Sequence, residues 1–287
     1  MTLCVSWIRK KGKTEELIIA TDSRLSSGTT LDGCCKIFPL KRGDCVLAFA
    51  GNTMYAYPIF IHIQRAIDLN VMSLTRANDI TELIHYFEDI MNKCLEDSWN
   101  LDTFDKEKGP NFQAIISGYS WKYSRFEMFI YSYDAKLNKM YSRRTTTLKK
   151  NKIAIIGDET KEFKKKLYFL LEERKITEDA GLNMEPFEIL LSFIENKSFT
   201  SIGGAPQLVK VYKYMNTVPF GVFWPQKDLP EIITFFGRRL LNYETFPFPI
   251  IHPKTFKVSY MKKIDDTFNM RNEEQHKLPF KVSTKKQ

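Results

Sequence analysis

A threonine directly follows the initiator methionine, and that position offers Thr2 a chemistry no internal threonine has. Once Met1 is removed, Thr2 carries a hydroxyl nucleophile beside an α-amine of pKa about 7.7–8.0, so one residue supplies nucleophile and general base. Amide hydrolysis by such a residue needs no separate histidine. A nearby lysine ammonium would depress the pKa of both groups, and an aspartate would hold that lysine in place. A local argument points to the aspartate. Residues 2–8 and 17–22 are β-rich and flank Lys10-Lys11-Gly12-Lys13, which suits an exposed hairpin turn. Folding this segment symmetrically about Gly12 sets Thr2 opposite Asp22, and cross-strand partners share a face. The same register puts Cys4 with Ala20 and Ser6 with Ile18 on that face, and turns Leu3, Val5 and Trp7 into the core.

These residues need a scaffold. Residues 36–40 and 44–50 read as a second pair of strands joined by the turn Lys41-Arg42-Gly43-Asp44. Residues 53–69, apolar on all sides with Pro58 near the start, predict a largely buried helix. Asp79 then caps a helix whose Ile80, Leu83, Ile84, Phe87, Ile90, Met91, Cys94 and Leu95 form one apolar stripe. A polar loop ends at Gly109-Pro110, and residues 112–117, 126–133, 139–143 and 152–156 predict four more strands. Helices over about 159–173 and 184–196 and a strand near 207–214 complete the pattern. Amphipathic helices in this order bury their stripes on sheet faces, which predicts an α+β fold, a four-layer αββα sandwich. From Met215 onward Pro219, Pro225, Pro230, Pro247, Pro249 and Pro253 break the pattern. The chain therefore divides into a domain over 1–214 and a Pro-rich, basic C-terminal extension over 215–287, with one more helix expected at 231–243.

Composition narrows the function. In 287 residues, 43% hydrophobic, no stretch of about 20 apolar residues exists to cross a bilayer, so no membrane association is expected. The N-terminal segment puts its charge after a short apolar run and lacks a small-residue cleavage site, the wrong order for a secretory signal, so the expected location is the cytoplasm. Cys4, Cys34, Cys35, Cys45 and Cys94 lack zinc-site spacing and read as buried, reduced thiols. His62, His85, His252 and His276 show no i, i+4 pairing, so no metal is expected. Gly203-Gly204 lacks a following Lys-Ser/Thr and no G-x-G-x-x-G occurs, so no nucleotide cofactor is expected. The net charge of +9 is concentrated in residues 254–287, where nine Lys/Arg face four Asp/Glu. Lys149, Lys150 and Lys152, and Lys161 with Lys164 to Lys166, read as a solvated turn and a solvated helix face, so nucleic-acid binding ranks last among the functional readings.

Four segments, in order, resemble the proteasome β-subunits and their bacterial two-ring peptidase relatives, a branch of the N-terminal-nucleophile (Ntn) hydrolases. Ile19-Ala-Thr-Asp-Ser-Arg24 is similar to the family's A-x-D-x-R strand end, and Gly33-Cys-Cys-Lys36-Ile-Phe to the strand bearing its active-site lysine. Ala48-Phe-Ala-Gly51-Asn resembles the A-G turn before the first helix, and Ser201-Ile-Gly-Gly204 the S-G-G segment. The resemblance implies Thr2 as nucleophile, Asp22 and Lys36 as its supports, the Gly51 amide as oxyanion donor, and Ser201 in the supporting network. It maps the specificity pocket to Leu25, Cys34, Phe49 and Thr53, with Phe49 partly filling it. The serine of the family's G-S-G turn corresponds to Asp158, which puts a carboxylate near the terminal amine, either to pair with it or to spoil its basicity. The family's aspartate, due near Ser198 or Phe199, is missing. Cys4 as an alternative nucleophile would require loss of three residues and abandon the pairing with Asp22. The resemblance thus implies a threonine-type hydrolase of peptide or other amide bonds, able to form homo-oligomers. The competing expectation is a catalytically inactive proteasome-like scaffold.

Overall fold

The structure, a computed structural model, describes residues 2–27, 29–98, 109–145, 147–148, 151–177, 180–226 and 229–261. Met1, Lys149, Lys150 and most of the basic tail, residues 262–287, lie outside them.

In chain order the elements begin with β1 (Leu3–Lys11), β2 (Thr14–Thr21), β3 (Leu25–Ser27), β4 (Thr29–Leu31), β5 (Ile37–Pro39) and β6 (Cys45–Gly51). Helices α1 (Thr53–Leu69), α2 (Val71–Leu74) and α3 (Leu83–Ser98) follow. Next come β7 (Phe112–Ser120), β8 (Arg125–Asp134), β9 (Lys139–Arg144), β10 (Thr147–Leu148), β11 (Asn151–Gly157), α4 (Thr160–Glu173) and α5 (Glu185–Glu195). The last segment holds β12 (Gln207–Tyr212), β13 (Asn216–Gln226), β14 (Leu229–Phe235), β15 (Arg238–Arg239), β16 (Ile250–Ile251) and β17 (Val258–Ser259).

Three cores separate four layers. Helices α1 and α3 cover the five-stranded sheet β5-β6-β7-β8-β9, burying Phe60, Ile63, Phe87 and Met91 against Leu47, Phe49 and Ile116. Cys4, Ile19, Val46, Ile115, Ile156 and Val209 fill the space between the sheets. Helices α4 and α5 close the far side of the ten-stranded sheet, whose path runs β10-β11-β1-β2-β12-β13-β14-β15 with β16 and β17 attached through β13. The expected αββα sandwich is the observed architecture. Both faces of β1 are buried, so its first half is mostly apolar instead of alternating, and the one polar residue there, Ser6, is hydrogen-bonded to Ser117 at 2.9 Å.

Local signals set the helices. Asn52 caps α1 through Oδ1, which accepts from the Met54 amide at 2.9 Å. Asp79 caps a single turn of 3-10 helix, Ile80–Glu82, that leads into α3, and the Glu82 carboxylate returns to the Asp79 amide at 3.0 Å.

Three expectations are corrected. The β1–β2 hairpin pairs Lys11 with Thr14, so its turn is the two residues Gly12-Lys13 and its centre lies between them, not on Gly12. The register therefore shifts by one: Cys4 opposes Thr21 and Ser6 opposes Ile19, while Ala20 and Ile18 share the helix-facing side with Leu3, Val5 and Trp7. Residues 231–243 form no helix; β14 and β15 with the turn between them cover 229–239, and a further turn follows. The mostly apolar run Ile232 to Phe236, interrupted only by Thr234, suits either element by periodicity. β-branched and aromatic residues and a turn at Gly237, with φ 87°, decide for strand. The segment after Met215 is also more than a wrapping. β13 pairs with β12 in the main sheet, and Phe220, Val222 and Ile251 enter the core under α5.

Candidate active site

Thr2 leads into β1, a central strand flanked by β11 and β2. β2 ends at Thr21, so Asp22 is free of the strand's alternation, and its carboxylate turns to face the start of β1. Asp22 Oδ1 accepts from the Leu3 amide at 3.2 Å and from Lys36 Nζ at 3.0 Å. Oδ2 accepts from the Arg24 and Gly203 amides, each at 3.1 Å. Lys36, just before β5, extends its ammonium between the segments: Nζ donates to Thr2 Oγ1 at 2.6 Å, to Asp22 Oδ1, and to the Arg24 carbonyl at 2.5 Å. Its three protons thus have three acceptors, the full capacity of an ammonium. Thr2, Asp22 and Lys36 are all completely buried.

The electrostatics follow from that burial. Desolvation pushes the Lys36 pKa below its ordinary value, and the ion pair and hydrogen bond with Asp22 act in the opposite direction. Burial raises the Cys4 thiol well above its usual range and the Asp22 charge adds to this, whereas Lys36 opposes it. A thiol so held is protonated and unreactive, which fits a core cysteine.

Backbone groups and one amide side chain complete the site. Gln207, the first residue of β12, accepts from the Lys36 amide at 3.0 Å and donates to the Cys34 carbonyl at 2.6 Å. It thereby locks the segment that carries the lysine. Arg24 forms a two-pronged pair with Asp32, at 2.8 and 3.0 Å. Neither the Arg24 carbonyl nor Gln207 was expected. A carbonyl's role leaves no mark on residue type, and Gln207 stands out only once β12 is paired with β2, which sets it opposite Thr21 at the strand end.

A cleft of about 550 Å³, lined by Leu25, Ala50, Gly51, Thr53, Gln113 and Asp158 among others, reaches Asp158, the residue bonded to Thr2. Gly51 ends β6 with φ 109°, a conformation that favours glycine. The Asp158 amide donates to the Thr2 carbonyl at 2.8 Å. Of the expected specificity residues, Leu25 and Thr53 line this cleft. Phe49 is fully buried under α1 in edge-to-face contact with Tyr57 and Phe60, and Cys34 is half-buried, with its amide donating to the Ser23 carbonyl at 3.0 Å. Ser201 sits in the turn before β12, where it is the Gly203 amide that reaches Asp22. Near the missing family aspartate, Ser198 bonds Asn196 and Phe199 stacks on Phe193 at 4.6 Å.

No protein-family model matches the chain, and no curated protein matches it in sequence. Solved structures do match in shape. Anbu (ancestral beta-subunit) from Yersinia bercovieri aligns with TM-score 0.51 at 14% identity, over 76% of this chain and 86% of its own. A Gly-1 mutant of Anbu from Hyphomicrobium sp. strain MC1 aligns with TM-score 0.51 at 15% identity, over 76% and 85%. Anbu from Pseudomonas aeruginosa, described as a helical assembly, aligns with TM-score 0.52 at 17% identity, over 76% and 84%. The chain has the proteasome-like fold of Anbu. At these identities the likeness is one of fold, and the chemistry must be argued from the residues in place. No helix among the described residues is long and apolar enough to cross a membrane.

Proposed function

We propose that the chain is a threonine-type Ntn hydrolase that cleaves peptide or other amide bonds once Met1 has been removed. The observation that carries this reading is the buried ammonium of Lys36, shared between Thr2 Oγ1 and Asp22 Oδ1. A lysine without exposure, aimed at a threonine hydroxyl at the start of the chain, stabilises negative charge developing on that oxygen. In the reaction the free α-amine takes the proton of Thr2 Oγ, the oxygen attacks the substrate carbonyl, and the Gly51 amide receives the oxyanion. The amine then protonates the leaving group. Water, activated by the same amine, hydrolyses the acyl-threonine and restores the site. The cleft bounded by Leu25, Gly51 and Thr53 supplies the room for substrate. By analogy with the helical assembly of the Pseudomonas Anbu, the protein works as an oligomer, and we place it in the cytoplasm.

Intact-protein mass spectrometry before and after incubation with an epoxyketone or β-lactone tests the reading. The expected result is loss of Met1 and a single adduct on Thr2, absent in Asp22→Asn and Lys36→Ala. A retained Met1, or a free Thr2 that never reacts, overturns it in favour of an inactive scaffold.

A further inference from the structure

β1 pairs antiparallel with β11, with Leu3 opposite Gly157 and Cys4 opposite Ile156. Continuing that register by one residue sets Thr2 opposite Asp158, and the bond from the Asp158 amide to the Thr2 carbonyl holds the two backbones together there. Cross-strand neighbours place their side chains on one face, with Cβ atoms roughly 4.5–5.5 Å apart. Yet Asp158 Oδ2 is buried and has no hydrogen-bond partner among the described residues. A buried carboxylate oxygen without a donor is costly and calls for a cation.

The charged groups around Thr2 leave Asp158 alone in this. From the end of β2, Asp22 has both oxygens engaged by Leu3, Lys36, Arg24 and Gly203. From the segment before β5, Lys36 has its three protons placed. The Arg24 guanidinium is paired with Asp32, the Cys4 thiol on β1 is held neutral by burial, and β7 contributes the uncharged Gln113, which bonds the Gly157 amide at 3.2 Å. Glu159, next to Asp158, is exposed. While Thr2 nitrogen is part of a peptide bond it bears no charge. Removal of Met1 turns it into an ammonium on the strand position facing Asp158.

We infer that Asp158 is the counter-ion of the Thr2 α-ammonium, an inference that rests on the reading that Thr2 works as a free N-terminus. The carboxylate orients the amine beside Thr2 Oγ1 and favours its protonated form, so the amine's pKa rises above the ordinary range of about 7.7–8.0. The amine becomes a stronger base but is available only at higher pH. Asp158 thus sets the alkaline operating range of the site, opposing the Lys36 charge.

The test uses the full chain released from an N-terminal fusion by a protease that leaves Thr2 first, so that cellular removal of Met1 is not required. The α-amine is titrated by the pH dependence of its acylation with acetic anhydride, and Thr2 by its labelling with a β-lactone. The expected pKa of the amine lies about one unit or more above the ordinary range, and falls back in both Asp158→Asn and Asp158→Ser. The labelling profile shifts to lower pH by the same amount in both variants. Circular dichroism verifies folding, and the serine variant decides if the asparagine variant does not fold. An amine pKa that is ordinary in the parent, or equal in parent and variants, overturns the inference even if Thr2 labels. A raised pKa that both variants lose sustains the counter-ion, and if Thr2 nevertheless never labels, the hydrolase reading alone fails.

Discussion

Gly237 lies directly against Ser23: a side chain at Gly237 would put its Cβ 2.4 Å from Ser23 Cβ, closer than any real pair of carbons packs. The turn between β14 and β15 therefore braces the residue that follows Asp22. On the other side of the same turn, a Cβ on Gly33 would stand 3.3 Å from the Gly237 carbonyl. Two of the segments that build the site thus rest on the C-terminal part of the chain. Gly237→Ala adds a methyl group where there is no room, at φ 87°. It is expected to cost about 1–3 kcal/mol of stability and to slow Thr2 labelling in the released chain. Thermal melting and adduct formation check this, and unchanged values for both would show that the turn does not support the site.

The second prediction concerns the Lys36–Asp22 pair, 3.0 Å apart and completely buried. Removing either partner leaves the other as an unmatched buried charge, at a cost of about 3–5 kcal/mol for each of Lys36→Met and Asp22→Asn. The double variant is expected to cost less than the two singles together by about 1–3 kcal/mol, the sign of direct coupling. Urea unfolding of the four proteins measures it. Simple additivity would mean that the ammonium is held by Thr2 and the Arg24 carbonyl without Asp22.

The acid limb of stability comes partly from Glu16. Burial acts to raise its pKa, but Lys210 at 2.9 Å and Arg9 at 2.6 Å outweigh burial and hold it below the ordinary 4.5. A depressed carboxyl pKa means that the unfolded chain binds more protons, so its stabilising effect is complete above 4.5 and is lost as pH falls through the folded value. Glu16→Gln is expected to lower stability at neutral pH and to show a smaller deficit in acid. A deficit that stays constant from pH about 7 down to about 3 in denaturant titrations would refute the assignment.

Much of the scaffold was legible because its signals are local. The helix expected at 53–69 is α1, with the same limits, and the Asp79 cap and its stripe reappear in the turn before α3 and in α3 itself. The hairpin was legible but its register was not, because a two-residue turn and a turn centred on Gly12 differ by half a residue at the tip and by a whole face along the strands. Thr2 and Asp22 are linked nevertheless, through Lys36 Nζ, since Asp22 sits one residue past the end of β2, where the chain has left the sheet. β3 and β4, three residues each, were too short to leave a period. The strands at 229–239 were missed because a short apolar run suits both helix and strand until a pairing partner, here β13, is known.

By itself the sequence determined most of the strands and helices up to β12, and supplied Thr2, Asp22, Lys36 and Asp158 at positions where strands begin or end. Side-chain type and period act over one or two turns of chain, so this much is written locally. Only the tertiary structure decided that the Lys36 ammonium would divide itself among Thr2, Asp22 and the Arg24 carbonyl, that Gln207 would lock its backbone, and that Phe49 would pack under α1 instead of lining the cleft. Those contacts join segments far apart in the chain, and their geometry depends on how strand ends, turns and two packed sheets close on one another. No local pattern carries that information.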